Sequence, residues 1–419
     1  MTSDRSEPGL RSETIRRTNL SSIVRQLHAA GPTSRSGLVA RTGLTRSAIR
    51  GLIGELVTGG LVAEGPALSL GNPGRPSPIV MLRPDGAVVL ALDVEVDSLA
   101  AALVGLGGRV LEQIRVERPR GHSSVASIVD DLAGLAAIIR ARRVPQLEIV
   151  GIGVAVAGIV RRSDGLVSMA PNLGWIDQPL GDHLLRVFGD EVPIAIANEA
   201  DLGALAETRR GVAVGAANVL FVSGEVGVGG GLIVDGRPFS GAAGYGGEIG
   251  HLPINPDGGE CTCGAFGCWE TEVGAMRLLR RAGRSVLGGP AEIQALLRDA
   301  DDGVASALAA LDETGRWLGI GLAGLVNILN PGLVVFGGLF QRILPYVAGI
   351  VDAELDRRTL PAPRRLVRVV AGTLGPEAPI VGAAELALEP ILADPARWLR
   401  GLDNDRSGTA EFAVRRVVA

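Results

Sequence analysis

Cys261, Cys263 and Cys268 are the only cysteines in the chain, and they fall within eight residues of one another. An odd number of thiols this closely spaced is unsuited to a disulfide framework and points to metal ligation instead. His251 follows Gly250, and nine residues separate it from Cys261. One imidazole and three thiolates form a ligand set suited to tetrahedral zinc, and Gly264 and Gly267 permit the tight turns that bring close sulfurs together. Four protein ligands leave no open coordination position, so the expected ion is structural. The plain alternative, unliganded buried cysteines, requires neither the Cys-x-Cys spacing nor the surrounding glycines.

At 419 residues and 47% hydrophobic content, the chain has room for one small and one large domain, or for three modest ones. All 41 basic residues are arginine, which reads as base-composition bias and carries no function. Charge location is more informative. Residues 1–75 hold 10 arginines against 5 acidic residues, a balance of +5, whereas the remainder holds 31 against 40, or −9. A basic head on an acidic body suggests a head that binds nucleic acid. No apolar run reaches the length of a membrane span without Gly, Pro or charge interrupting it, and MTSDRSEPGLRSETIRR lacks a signal-peptide core, so the expected location is cytoplasmic.

Within the head, Thr14 to Ala30 places Ile15, Ile23, Val24 and Leu27 near helical spacing and stops at Gly31-Pro32. Thr33 or Ser34 can cap a second helix ending at Gly43, and Thr45 a third, with Ile49, Leu52, Ile53 and Leu56 on one face. Two short apolar segments, 61–63 and 78–82, are candidates for the strands of a wing. The reading is a winged helix-turn-helix, whose second motif helix enters the major groove of double-stranded DNA. Arg46, Ser47 and Arg50 are its candidate groove-facing residues, Arg35 and Arg41 the candidate phosphate contacts, and Arg75 of Gly74-Arg75-Pro76 a candidate for the minor groove. A head used only for association is the alternative.

After residue 83 strands alternate with helices, which argues for an α/β body. VVLALDVEV and SLAAALVG from Val88, then NVLFVSGEVG and VGGGLIVDG from Asn218, look like two related starts and suggest two lobes. The expected organisation is a DNA-binding head and linker over 1–83, a two-lobed body over 84–393, and a tail over 394–419 with no assignable role.

Gly250-His251, the spacer and Cys-x-Cys-Gly-x-x-Gly-Cys-x-Glu together resemble the signature of the ROK family, named for repressors, open reading frames and kinases. Ser34-Arg35-Ser36-Gly37-Leu38 and Thr42-Gly43-Leu44-Thr45-Arg46 in the head, with Asn330-Pro331 and Gly337-Gly338 in the body, extend the resemblance over nearly the whole chain. It implies a two-lobed, actin-like ATPase and sugar-kinase fold carrying a zinc loop. It also implies a sugar site at Asn172, Asn198, Glu199, Glu248, His251 and Glu270, with one ring nitrogen of His251 on zinc and the other facing the sugar. Without the resemblance, Asn198-Glu199 reads as a helix cap with a first-turn acid, and Glu248 and Glu270 as solvated acids.

Family kinases carry Asp-x-Gly-x-Thr on the first strand pair, where this chain reads Asp93-Val94-Glu95-Val96-Asp97, with two carboxylates where a triphosphate should sit. Val226 replaces the hydroxyl residue of the glycine-rich phosphate loop, and Glu199 replaces the aspartate base. One extra methylene displaces a base by about 1 Å, a shift that can cost ~10²-fold in rate. The resemblance therefore implies a repressor whose body binds a sugar effector without phosphorylating it, in which Glu199 is a degenerate base position. An active or bifunctional ATP-dependent sugar kinase is the alternative. Xylose, glucose and N-acetylated hexosamines all suit the resemblance, and paired DNA half-sites imply a homodimer or a dimer of dimers. Lobe closure, relayed through the linker near residues 70–85, is the expected movement.

Overall fold

The computed structural model describes residues 8–66, 77–119, 121, 123–142 and 147–399, with side chains from residue 12 onward. The head runs α1 (Pro8–Ala30), β1 (Thr33–Ser34), α2 (Arg35–Thr42), α3 (Arg46–Thr58), β2 (Val62–Gly65) and β3 (Ile79–Leu82). Ser34 caps α2 by accepting from the Gly37 amide, and Thr45 caps α3 by accepting from the Ala48 amide. Gly43, left-handed at φ 70°, ends α2 and turns the chain into α3. Ile49, Leu52, Ile53 and Leu56 are buried as their spacing requires. Ile15 is not: it is 61% exposed, and the core face of α1 comprises Leu20, Ile23, Val24 and Leu27. At about 100° per residue Ile15 sits roughly 130° from the centre of that stripe, so it never belonged to the face. β3 pairs antiparallel with both β2 and β1. Arg75 lies outside the described residues, so its contact with the minor groove stays an expectation.

The first lobe contains β4 (Val88–Val94), β5 (Ser98–Gly105), β6 (Arg109–Glu117), α4 (Val125–Arg142), β7 (Ile149–Val156), β8 (Ile159–Arg161), β9 (Leu166–Ala170), β10 (Trp175–Gln178), α5 (Leu180–Phe188), β11 (Ile194–Asn198) and α6 (Glu199–Arg210). The second contains β12 (Val219–Gly224), β13 (Val228–Val234), β14 (Arg237–Pro238), α7 (Trp269–Val273), α8 (Ala275–Arg281), α9 (Gly289–Asp301), α10 (Ala305–Leu329), β15 (Leu333–Gly337), α11 (Gly338–Arg358), α12 (Pro361–Leu366), β16 (Arg368–Ala371) and α13 (Ala378–Ala393). Their main sheets are ordered β11-β7-β4-β5-β6 and β14-β13-β12-β15-β16. Read from the first strand of each lobe, both follow one plan: an antiparallel meander on one side and two parallel strands on the other. The two similar sequence starts are β4–β5 and β12–β13.

Every residue of β4 is buried, because both faces of its sheet are covered. Val88, Leu90, Leu92 and Val94 pack with α4, and Val89 and Ala91 with α13, as the two-residue period of a strand dictates. On the second lobe Val219 and Phe221 of β12 pack with Ala200 and Ala204 of α6. Helices α13 and α6 therefore lie between the two sheets and against each other.

The boundary between head and body is closed. One continuous core joins Leu20, Ile23, Leu27 and Val80 of the head to Ala87, Val89, Leu205, Ile380 and Leu388 of the body. A Cβ on Gly105 would lie 1.8 Å from the Pro84 carbonyl oxygen, so the segment after residue 83 is wedged against the sheet. Residues 394–399 return to the head. Ala396 is fully buried in the shared core, Trp398 and Leu399 pack against it, and Leu399 covers Gly59. This part of the tail thus completes the head, and the rest of it lies outside the described residues.

At the closest approach of α13 to α6, a Cβ on Gly382 would stand 2.0 Å from the Leu202 carbonyl oxygen, whereas one on Gly349 in α11 would meet open space. Gly382→Ala is expected to lower unfolding free energy by about 1–3 kcal/mol through overpacking, and Gly349→Ala to leave it unchanged or raise it by roughly 0.5–1 kcal/mol. Urea denaturation of both variants checks the pair.

Candidate functional site

The cavity at the mouth of the cleft is lined by Asn172, Asn198, Glu199, Glu248, His251 and Glu270, so all six sequence-predicted hydroxyl-binding positions converge. Their local roles differ. Asn198 is the N-cap of α6: its Oδ1 accepts from the amides of Ala200 (2.7 Å) and Asp201 (3.3 Å), while Nδ2 donates to the Gly158 carbonyl (3.0 Å) and to Glu199 (2.6 Å). With its hydrogen-bonding groups engaged, Asn198 shapes the site by aiming Glu199. Glu270 accepts from the Val228 amide through Oε2 at 2.9 Å, and its Oε1 lies 3.5 Å from the Cys261 sulfur, which ties the cleft to the cysteine loop. Asn172, half-buried in a 3-10 turn, presents its amide beside Gly227. Thr262, a spacer between two cysteines in the sequence, also lines the cavity and was not singled out by spacing.

Burial dominates the electrostatics. It pushes Glu248 up to about 7, with the charges of Asp201 and Glu270 adding to the effect. Asp201 is pushed up to about 6 by burial, although Arg162, 3.3 Å away, works against this. Glu199 is held well above the usual carboxylate range by burial and then by the charges of Glu248, Glu95 and Asp93. Neutral carboxyls and free amides donate and accept hydrogen bonds at fixed positions, which is the chemistry that recognises a polyol.

The glycine run in 227–231 has a packing explanation. A Cβ on Gly227 would strike Glu270 at 2.4 Å, on Gly229 the Ala200 Cβ at 2.7 Å, on Gly230 Ile249 at 2.4 Å, and on Gly231 the Ala200 carbonyl at 2.3 Å. These glycines let β13 lie directly on α6 and on the turn before His251, irrespective of any phosphate.

An adjoining second cavity of about 400 Å³, which shares Glu199 and Val226 with the first, has apolar walls that include Phe221, Met276, Leu279 and Ile293, with Glu95 and Asp97 also on its lining. The substituted phosphate-loop positions therefore do meet. Sequence reasoning overlooked Arg115 on β6, which pairs with Asp93 (3.2 Å), Glu95 (3.8 Å) and Glu377 (3.9 Å). Burial also raises both Asp93 and Glu95, so the acidic face is less charged than its composition suggests.

His251, Cys261, Cys263 and Cys268 converge, all four ligand atoms lying within 4.8 Å of one another. His251 Nδ1 is 3.7 Å from the Cys261 sulfur, and the Cys263 and Cys268 sulfurs are 3.7 Å apart. A tetrahedral ion with metal–sulfur bonds of about 2.3 Å places its sulfurs roughly 3.8 Å apart. Burial and the crowding of Cys263 and Cys261 push the Cys268 thiol up to about 12, a bias that a bound divalent cation reverses. The cluster can hold a metal ion.

On the head, Arg41, Arg46, Ser47 and Arg50 are exposed. Arg35 is engaged elsewhere: its guanidinium forks onto Glu64 at 2.5 Å through both Nε and Nη2.

Residues 89–390 match the ROK family. The chain belongs to the ROK family. It is 28% identical over 386 residues to the xylose repressor of Bacillus spizizenii, across 90% of this chain and 97% of that protein. With the glucokinase of Streptomyces coelicolor it shares 30% identity over 320 residues, covering 72% of this chain and 98% of that one. The crystal structure of a ROK family transcriptional regulator, a homologue of the Escherichia coli MLC protein, superposes with a TM-score of 0.75 at 24% identity, over 92% of this chain and 100% of that one, and shows the shared fold. No described helix is long and apolar enough to cross a membrane.

Chelator-treated ROK protein given back one equivalent of a divalent metal such as zinc is expected to regain thermal stability, and Cys263→Ser to lose that gain. Elemental analysis should fall from about one ion per chain to well below it in the variant. An unchanged melting temperature on metal return would remove the metal assignment.

Proposed function

We propose that this chain is a sequence-specific transcriptional repressor whose ROK body binds a sugar or sugar derivative as effector without phosphorylating it. The observation that carries the proposal is one surface: Arg46, Ser47 and Arg50 on the exposed face of a capped α3, with Ile49, Leu52 and Ile53 turned into the core. No ion pair or hydrogen bond engages the side chains of Arg41, Arg46 or Arg50 among the described residues, so their charges are available to phosphates and base edges. The head takes the part of a winged helix-turn-helix. The chain's similarity to a xylose repressor spans head and body together, which supports the same reading. The protein acts in the cytoplasm, and a homodimer reads paired half-sites.

In the body, Asn172, Glu199, Glu248, His251 and Glu270 take the sugar hydroxyls. The cysteine cluster takes a structural zinc, which fixes the orientation of His251 and of the loop bearing Glu270. Loss of phosphorylation follows from Glu95, Asp97 and Val226, which stand where a triphosphate needs glycine and hydroxyl groups. An effector releases DNA only if it binds the non-DNA-binding arrangement more tightly than the DNA-binding one. The kinase alternative keeps one specific observation in its favour, the cavity of about 400 Å³ beside Glu199.

Arg46→Ala and Arg50→Ala are each expected to weaken operator binding by about 1–3 kcal/mol where the contact is bidentate to a base, and to leave sugar binding intact. Undiminished operator affinity in the double variant would move the DNA interface off α3. In a coupled assay with ATP, magnesium and the sugar identified by thermal shift, turnover should be absent. Sustained turnover on the order of 1 per second would establish the bifunctional kinase in place of the pure regulator.

A further inference from the structure

Helix α6 starts in the sugar cleft and ends against the head. Its N-cap is Asn198 and its first residue Glu199, both lining the cleft. Twelve residues on, roughly 18 Å along the axis, its last residue is Arg210. The Arg210 guanidinium donates through Nε to Glu385 of α13 (2.7 Å) and through Nη1 to the backbone carbonyl of His28 in α1 (2.7 Å), and also contacts the His28 ring. His28 and Glu385 are only 4% and 3% exposed.

Both ring nitrogens of His28 are engaged: the Gly107 amide donates to Nδ1 at 3.0 Å, and Nε2 lies 2.8 Å from Glu385 and against the Arg210 guanidinium. Burial works against the Glu385 charge, yet the bonds from His28 and Arg210 hold it below the usual carboxylate range. Further contacts fasten α1 to the end of α13: Arg17 to Asp394 (3.0 Å), Ser21 to the Leu392 carbonyl (2.7 Å) and Arg25 to Glu389 (3.1 Å).

Between its ends α6 has little freedom to bend or slip. Residues 200–207 are all buried. Three residues before its end, Glu207 accepts from the Thr373 (2.7 Å) and Leu374 (2.9 Å) amides of the second lobe and from the Val212 amide (2.9 Å). The helix is thus gripped by the cleft, the second lobe and the head at successive points.

We infer that α6 is the mechanical link between cleft and head, and that Arg210, His28 and Glu385 are the positioning residues through which sugar occupancy changes the placement of α1. The inference rests on the sugar-responsive reading above. It replaces the residue 70–85 linker as the route, because the head core is continuous with the body core. A ligand that shifts Glu199 must move a rigid helix, and the far end of that helix is bonded to the head.

The test uses the full-length, metal-replete protein and two variants. Arg210→Met with Glu385→Gln removes both charges together, so that no buried charge is left alone. His28→Gln keeps one acceptor for Gly107 and one donor for Glu385. Operator affinity is measured with and without the sugar identified by thermal shift, and sugar affinity with and without operator. Wild type and His28→Gln are expected to show reciprocal coupling, of the ~5–150-fold size typical of linked sites. The double variant is expected to bind each ligand within about threefold of wild type while the coupling falls to near unity in both directions. A simple loss of stability would weaken both affinities without erasing the coupling. Full coupling in the folded double variant overturns the inference.

Should no sugar alter wild-type operator affinity, the functional reading fails, and hydrogen exchange still decides the link. Asn198→Ala at the cleft end is expected to raise exchange at Leu20–His28 of α1 in the parent and in His28→Gln, and to leave it unchanged in the double variant. Exchange in α1 that ignores Asn198→Ala in the parent overturns the link, and this comparison stands even if the double variant does not fold.

Discussion

The packing of α6 on α13 is the contact on which the rest of the molecule depends. Each helix covers one sheet, α13 the first and α6 the second, so the only way to bring the two lobes together is to bring these helices together. The approach is close enough to demand glycine or alanine along it: Gly382 against the Leu202 carbonyl, Gly153 against the Ala383 carbonyl, Gly231 against the Ala200 carbonyl. Backbone rests on backbone across four layers. Such an arrangement transmits displacement well, since a shift of one layer has no compressible side chain in which to dissipate.

Buried charge is placed where segments from distant parts of the chain must meet. Glu385 is bonded to α1 and α6, and Glu207 to the loop after β16. Glu272, 2% exposed, takes Arg281 (2.8 Å) and Asn255 (2.7 Å) beneath the cysteine loop. Isolated buried carboxylates are strongly unfavourable, and each of these is tolerated only because several donors converge on it. The same groups specify where loops seat. Asp93 is less complete: Oδ2 meets Arg115, while Oδ1 has no hydrogen-bond partner among the described residues.

Local patterns in the sequence were good guides wherever the chemistry is local. Both caps of the head helices, the buried stripe of α3 and the convergence of His251 with the three cysteines follow from residue type and spacing alone. Four things were not legible. Ile15 satisfied a loose count of helical spacing but not the angle. Arg115 is a single cation in an ordinary strand, and nothing in residues 109–117 tells that it reaches Asp93 and Glu95 across the sheet. The packing where head meets body was hidden too: the linker was expected near residues 70–85, and Gly86 and Gly105 on its body side serve close packing. Nothing near His28 in the chain points to its partners, since Gly107, Arg210 and Glu385 lie up to 357 residues away.

The glycine run of β13 shows that a motif can have a packing cause apart from any chemistry. A phosphate-binding loop and a tightly packed strand both need the absence of a Cβ, for different reasons. Here the Cβ positions of Gly229, Gly230 and Gly231 are filled by α6 and by Ile249, so side chains are excluded whether or not a nucleotide is ever bound. Val226 is under no such constraint: it lies just before the packed segment and lines the open cavity. Glycines bound into the packing between lobes therefore say little about catalysis, whereas the identity of residue 226, which the fold leaves free, says a good deal. On that reasoning the proposal of a non-phosphorylating body rests on Glu95, Asp97 and Val226 and gains nothing from the glycines, which would be retained equally in a kinase and in a regulator.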